Sequence, residues 1–145
     1  IFPQQMLRSA GWTGGSMEAQ VGDVAHIFRA IFDGTLLDKA MVAELLSTNE
    51  FTDYGLGISL GEVDVNTVGP LTQAHSEVIS YSHGGGVPGF RSYAAYYPEL
   101  DVALAMSTNV LPVEPDISIL ADRIVKAVQA GLTTKSPLIE GKYRE

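Results

Sequence analysis

A histidine followed by three glycines is the part of this sequence whose residue types could do chemistry. His83 ends a predicted strand, and Gly84, Gly85 and Gly86 come directly after it. Because glycine carries no Cβ, a ligand can approach such a backbone closely and meet unpaired N–H donors. The same residues are also typical of a glycine-rich hairpin in which the glycines serve only the turn. On residue chemistry alone, both interpretations stay open.

Two other patterns match known motifs but lack the context that those motifs require. Residues 84–89 satisfy G-x-G-x-x-G, yet a dinucleotide site needs a helix next, and the strand-like segment 90–97 follows instead. Residues 57–61 match the nucleophile elbow G-x-S-x-G, with Ser59 as the nucleophile. An elbow is a strand-to-helix turn, whereas Ser59 is predicted to lie inside an alternating strand. An α/β-hydrolase that uses Ser59 is therefore the weaker alternative.

The histidines do not have the spacing of a metal site. His26 lies on a predicted helix and His75 in a polar loop, while a catalytic zinc site needs three protein ligands and usually a histidine pair at helical spacing. The chain has no cysteine to supply a thiolate ligand. No metal and no cofactor are expected.

Hydrophobic spacing predicts two helices early in the chain and one near its end. Apolar residues recur at helical spacing over 20–33. Asp38 is predicted to cap a short helix that runs to about Ser47. The last helix follows Asp116 and is expected to end at Gly131.

Four strands are predicted between these helices, over 54–60, 78–83, 90–97 and 102–108. Most connections between them are short, so hairpin pairing predicts an antiparallel sheet in that same order. Residues 61–76 are predicted to be a loop. Helices, then a strand meander, then a packing helix predict an α+β fold with a sheet of about four strands. The whole chain, 1–145, is expected to form one domain.

Length and composition fit such a domain and exclude several classes of partner. The 145 residues are 46% hydrophobic and 18% charged, which is not the composition of a disordered tail. The formal charge of −8 repels phosphate, so neither nucleic acid nor an anionic membrane is an expected partner. The longest unbroken apolar run, Val102 to Met106, is far too short to span a bilayer. Nothing in the sequence identifies the compartment.

Several ordered motifs resemble the serine β-lactamase-related family, which includes class C β-lactamases, D-Ala-D-Ala carboxypeptidases and esterases. They are Y-G-L-G at 54–57, H-G-G-G-V-P-G-F at 83–90, a P-E turn at 98–99 and S-T-N at 107–109. The resemblance runs from about Ala10 to Gly131. It implies a partial β-lactamase or transpeptidase-like fold that corresponds to the C-terminal part of the family's domain.

The resemblance also implies roles for the glycine-rich strand. His83 and Gly85 match the family's H-x-G, so His83 would help to orient the substrate or the general-base network. The Gly86 N–H would be the second oxyanion donor, while Gly84 and Gly85 would border the substrate. The family's nucleophile is the Ser of S-x-x-K, whose Lys helps to activate the hydroxyl. No Ser in this chain has a Lys three residues later, and the family's Y-x-N is absent too.

The chain is therefore expected to be the C-terminal lobe of such a hydrolase, inactive alone. It would bind a lactam, peptide or ester only if an N-terminal segment completes it. A non-catalytic binding or assembly module built on the same strands is the second hypothesis. In the family fold, the strand that matches 102–108 lies beside an N-terminal strand. An open edge at 102–108, and hence a homo-oligomer, is expected.

Overall fold

A computed structural model describes residues 15, 17–64, 77–110 and 116–133 of the chain. The order of elements in this described part is α1 (Val21–Phe32), α2 (Lys39–Leu45), β1 (Ser59–Asp64), β2 (Glu77–Val87), β3 (Phe90–Tyr97), β4 (Val102–Thr108) and α3 (Ile117–Thr133). The strands form one antiparallel sheet in the order β1-β2-β3-β4. The predicted α+β class and the predicted strand order are confirmed.

Helices α1 and α3 pack on opposite faces of the sheet, over β3 and β4. Adjacent residues of a strand point to opposite faces, and Tyr96 lies against α1 while Tyr97 lies beneath α3. The buried core is on the α3 face, and its members are Val63, Val78, Ala95, Tyr97 and Val125. Tyr97 and Val125 are fully buried.

Helix α1 is anchored at its C-terminal half. The Phe32 ring stacks on Tyr96, with centroids 5.7 Å apart and an interplanar angle of 8°, and lies 5.0 Å from the ring of Tyr81. One turn earlier, the Arg29 guanidinium forms an ion pair with the Asp101 carboxylate and donates to the Asp101 carbonyl at 3.1 Å. Since no residue of α1 is fully buried, these contacts at one end hold the helix on the sheet.

The predicted helix caps form, but one predicted helix end is wrong. Asp38 accepts a hydrogen bond from the Met41 N–H at 2.9 Å, and α2 begins at the next residue, as predicted. Asp116 accepts a hydrogen bond from the Ser118 N–H at 3.0 Å, beside the first residue of α3. Helix α3 continues to Thr133, past Gly131. A single glycine costs a helix only about 1 kcal/mol, which the neighbouring residues outweigh.

The first strand lies later in the chain than predicted. Instead of 54–60, β1 covers 59–64, because the chain turns back on itself before Ser59. Gly57 has a φ of +88° within this turn, and the Leu60 N–H donates to the Asp53 carbonyl at 2.7 Å. The predicted loop is thus strand as far as Asp64, and its remainder, 65–76, lies outside the described residues.

Candidate functional site

His83 and the three glycines lie within strand β2, which runs through to Val87. The prediction that a strand ends at His83 is therefore wrong. Gly84, Gly85 and Gly86 pair across the sheet with Tyr93, Ser92 and Arg91. The turn itself contains only Pro88 and Gly89, and Gly89 has a φ of +88°. A two-residue turn with glycine second and proline first is a standard type II arrangement, so the three glycines are not needed for the turn.

Next to these glycines, no described strand pairs with the outer side of β2. Strand β1 pairs with β2 only as far as Ser82, and no other described strand continues along that side. In a two-residue hairpin, the two residues that flank the turn, its closing pair, exchange both hydrogen bonds. Along each strand, residues then alternate between pointing their backbone N–H and C=O groups inward, at the partner strand, and pointing them outward, away from it. Counted from the closing pair Val87 and Phe90, the N–H groups of Gly84 and Gly86 point outward. The Gly86 N–H therefore has no strand partner in the described part of the chain and points to where a ligand could bind.

Two side chains of β3 occupy the space beside these glycines. A Cβ at Gly85 would overlap the Ser92 hydroxyl, and a Cβ at Gly86 would overlap the Arg91 guanidinium. Both side chains therefore border the glycine backbone closely. Ser92 and Arg91 are not among the site residues predicted from the sequence. The signal was present, because a two-residue turn at 88–89 fixes the cross-strand register that brings these residues opposite the glycines.

The imidazole of His83 is exposed and lines a groove between α1 and the sheet. The groove has a volume of about 460 Å³. Its floor consists of small residues of three strands, and its roof of apolar residues of α1: Gly85, Ser92, Ala94, Ala105 and Ser107 below, and Val21, Val24, Ile27 and Phe28 above. The ring of Tyr54 lies 6.3 Å from that of His83. The prediction that His83 projects into a cleft agrees with this position.

A second cavity, of about 350 Å³, lies on the opposite face of the same strand. Arg91 borders it together with Asp116 and Ser118, at the start of α3. The Ser118 N–H and hydroxyl donate to Asp116 and hold the pKa of its carboxyl below the usual value, with a smaller contribution from Arg91. This cavity therefore contains a carboxylate beside a guanidinium. In contrast, none of the described residues that line the groove on the α1 face is an Asp, Glu, Lys or Arg.

The tyrosines near the site are not bases at neutral pH. Burial raises the pKa of Tyr93 and of Tyr97 above the usual value for a phenol. The buried Tyr97 hydroxyl has no hydrogen-bond partner among the described residues. Among the described residues beside the glycine strand, His83 supplies an exposed imidazole.

The two alternative motifs do not have the structural context that their chemistry needs. Ser59 is the first residue of β1 and pairs with Ser82, and a strand rather than a helix follows it. Residues 84–89 lead into β3, so the helix that must follow the glycines directly in a dinucleotide-binding motif is not formed. Within the described ranges, no three potential ligand side chains come together as a metal site. No helix in this part of the chain is long and apolar enough to cross a bilayer.

Comparisons of the chain with protein-family models, with curated proteins and with solved structures find no match.

Proposed function

We propose that this chain is the C-terminal lobe of a serine hydrolase related to the β-lactamases, and that it supplies the strand edge on which the substrate is held. The observation that carries the proposal is the unpaired outer side of β2 at Gly84 and Gly86, where β1 ends at its pairing with Ser82. The exposed imidazole of His83 lies on the same strand. The resemblance implies a site with these three parts, namely a strand edge, a glycine backbone and a histidine.

The chemistry that fits this edge is acyl transfer. A serine hydroxyl attacks the carbonyl carbon of an ester, lactam or amide, and the carbonyl oxygen becomes negatively charged. The Gly86 N–H is proposed to donate to that oxygen, and such a donor is worth about 10²–10³ in rate. His83 is proposed to orient the substrate or the base. Because no Ser of this chain belongs to an S-x-x-K, the nucleophile must come from another segment, and the chain alone is inactive.

The proposal is tested by treating the complete product of the gene that encodes this sequence with a fluorophosphonate probe. The expected result is one labelled serine, in an S-x-x-K outside residues 1–145. Gly86→Pro removes the outward N–H without removing a bond of the β2–β3 ladder, and is expected to slow labelling by about 10²–10³. Ala103→Pro removes an outward N–H from the opposite edge of the sheet and is expected to leave the rate unchanged. A label on a serine within 1–145, or equal rates for the two variants, overturns the proposal.

A second candidate function, assembly of copies of the chain, is favoured by the other edge of the sheet. Strand β4 has β3 on one side and no described strand on the other. The same alternation applies along β4. It points the N–H and C=O groups of Ala103, Ala105 and Ser107 away from β3, toward the open side of the sheet. This edge has no charge and no proline, which are the usual protections of an edge strand. We propose that two copies pair antiparallel through β4.

Sedimentation of the chain across micromolar concentrations tests this assembly. Dimers are expected, and Ala103→Pro is expected to convert them to monomers, because proline cannot donate at the edge. Ile119→Ala, at an exposed position of α3, serves as the control and is expected to leave the dimer intact. A monodisperse monomer of the unaltered chain would contradict the assembly proposal, and so would a dimer that survives Ala103→Pro.

A further inference from the structure

The groove on the α1 face exists because its floor is made of small side chains. Helix α1 is held at Arg29 and Phe32, but its N-terminal half lies over the small floor residues Gly85, Ala94 and Ala105. These residues are too small to fill the space below the helix. A volume of about 460 Å³ is left, which lies within the usual range of small-molecule sites of about 300–1,000 Å³.

The lining restricts the chemistry of what the groove can hold. Its roof is apolar, with Val21, Val24, Ile27 and Phe28 from α1. No Asp, Glu, Lys or Arg side chain is among the described residues that line it. A charged group placed there would lose part of its hydration without gaining an oppositely charged partner. The groove therefore suits an uncharged, apolar group.

The polar residues of the groove lie on the sheet, where His83, Ser92 and Ser107 offer hydrogen-bonding groups. His83 is the neighbour of Gly84 in the chain, so the groove opens beside the strand edge to which the Gly86 N–H belongs. A carbonyl held at that edge would have its substituent directed below α1. Arg91, the cation that would suit a carboxylate, does not line this groove. It lies over Gly86 and borders both the cavity at the start of α3 and a cavity of about 670 Å³ that adjoins the groove at Gly85, Ser92 and Ser107.

We infer that the groove binds the apolar acyl group of the substrate, and that the substrate class is therefore an ester or amide of an uncharged, apolar carboxylic acid of medium length. This inference rests on the proposed function for the reacting carbonyl. The groove itself, with its size and its lining, is independent of the nucleophile. Binding can accordingly be measured with this chain alone.

The test is a titration of the ¹⁵N-labelled chain with methyl octanoate, with methyl acetate and with the octanoate ion. Methyl octanoate is expected to shift the amide signals of Val24, Gly85 and Ala105. Methyl acetate, which has no chain to bury, and the octanoate ion, which carries a charge, are each expected to bind more weakly by about tenfold or more. Equal binding of the ion, or shifts confined to the Arg91 side of the sheet, would overturn the inference.

Two variants that fill or polarise the groove make the test specific. Ala105→Leu fills the floor and is expected to weaken methyl octanoate binding by about tenfold or more. Val24→Asn, on α1, provides a second variant if Ala105→Leu does not fold. Ala127→Leu makes the same change as Ala105→Leu at an exposed position of α3 and is expected to leave binding unchanged. Unchanged binding in both groove variants would contradict the inference.

This binding test and the labelling test fail separately. If methyl octanoate binds in the groove but no S-x-x-K serine is labelled in the complete gene product, the hydrolase proposal is wrong and the apolar site remains. If the serine is labelled but methyl octanoate does not bind in the groove, the hydrolase proposal remains and the substrate class is wrong.

Discussion

Replacing Phe32 with alanine is expected to release helix α1 from the sheet. The Phe32 ring makes an apolar contact between the two, since it stacks on Tyr96 and also lies against Tyr81. Truncation of a fully buried phenylalanine costs about 3–5 kcal/mol, and Phe32 is only half-buried. Each aromatic pair adds about 0.5–1.5 kcal/mol beyond its buried area. Together these contributions predict a loss of about 3 kcal/mol in the free energy of unfolding.

Urea denaturation of Phe32→Ala and of a matched control measures this loss. Phe51→Ala removes the same ring at a site where it is 84% exposed, so its free energy of unfolding is expected to change by about 0.5 kcal/mol or less. Hydrogen exchange should be faster in α1 of Phe32→Ala than in α1 of the unaltered chain. The Arg29–Asp101 ion pair would then have to hold the helix by itself, and it is exposed to solvent. A loss below about 1 kcal/mol, or equal losses in the two variants, would refute the anchoring role.

Three further substitutions test the loop, the site and the buried charge. Gly55→Ala is expected to lower the free energy of unfolding by about 2 kcal/mol in urea melts, since a Cβ there overlaps the Leu45 carbonyl; unchanged stability would mean that the loop shifts freely. His83→Ala is expected to change the free energy of unfolding by less than about 1 kcal/mol, because His83 is exposed. A loss above about 2 kcal/mol in urea melts would show that His83 is a packed core residue. Burial raises the pKa of the Asp122 carboxyl, and Lys126 opposes this with a smaller effect. The free energy of unfolding is therefore expected to fall as the pH rises through the pKa of the folded chain and Asp122 becomes charged. Thermal melts of Asp122→Asn and of the unaltered chain, from acid to neutral pH, measure this. The variant is expected to be more stable at neutral pH and equally stable in acid. A variant less stable than the unaltered chain at neutral pH would contradict the reasoning.

Local patterns predicted the strands that have an ordinary side-chain alternation or a continuous apolar run. The segments 90–97 and 102–108 have the predicted bounds. The first is rich in Tyr and Phe, which favour strands, and the second is a short apolar run that directly follows a turn. Glycine is where the predictions were wrong. Gly57 begins a reversal where a strand was expected, and Gly84 to Gly86 continue a strand where a turn was expected. A residue without a Cβ permits both, and only the cross-strand neighbours decide between them.

The groove could not be predicted from local patterns for a different reason. The spacing of Val24 and Phe28 predicts an apolar helix face that should be buried. It does not predict that the sheet below would present Ala94 and Ala105, which leave the space unfilled. That juxtaposition depends on where Phe32 and Arg29 fix the helix, and these are contacts between segments far apart in the chain.

The central claim, that this chain supplies a substrate-binding strand edge but no nucleophile, is tested most directly by mass spectrometry of the 145-residue chain after treatment with an excess of fluorophosphonate. The predicted result is an unchanged mass, because no Ser has a Lys three residues later and Ser59 lies at the start of a strand rather than on an elbow. The addition of one phosphonyl group at a defined serine, Ser59 above all, would contradict the account, because the chain would then contain its own activated nucleophile.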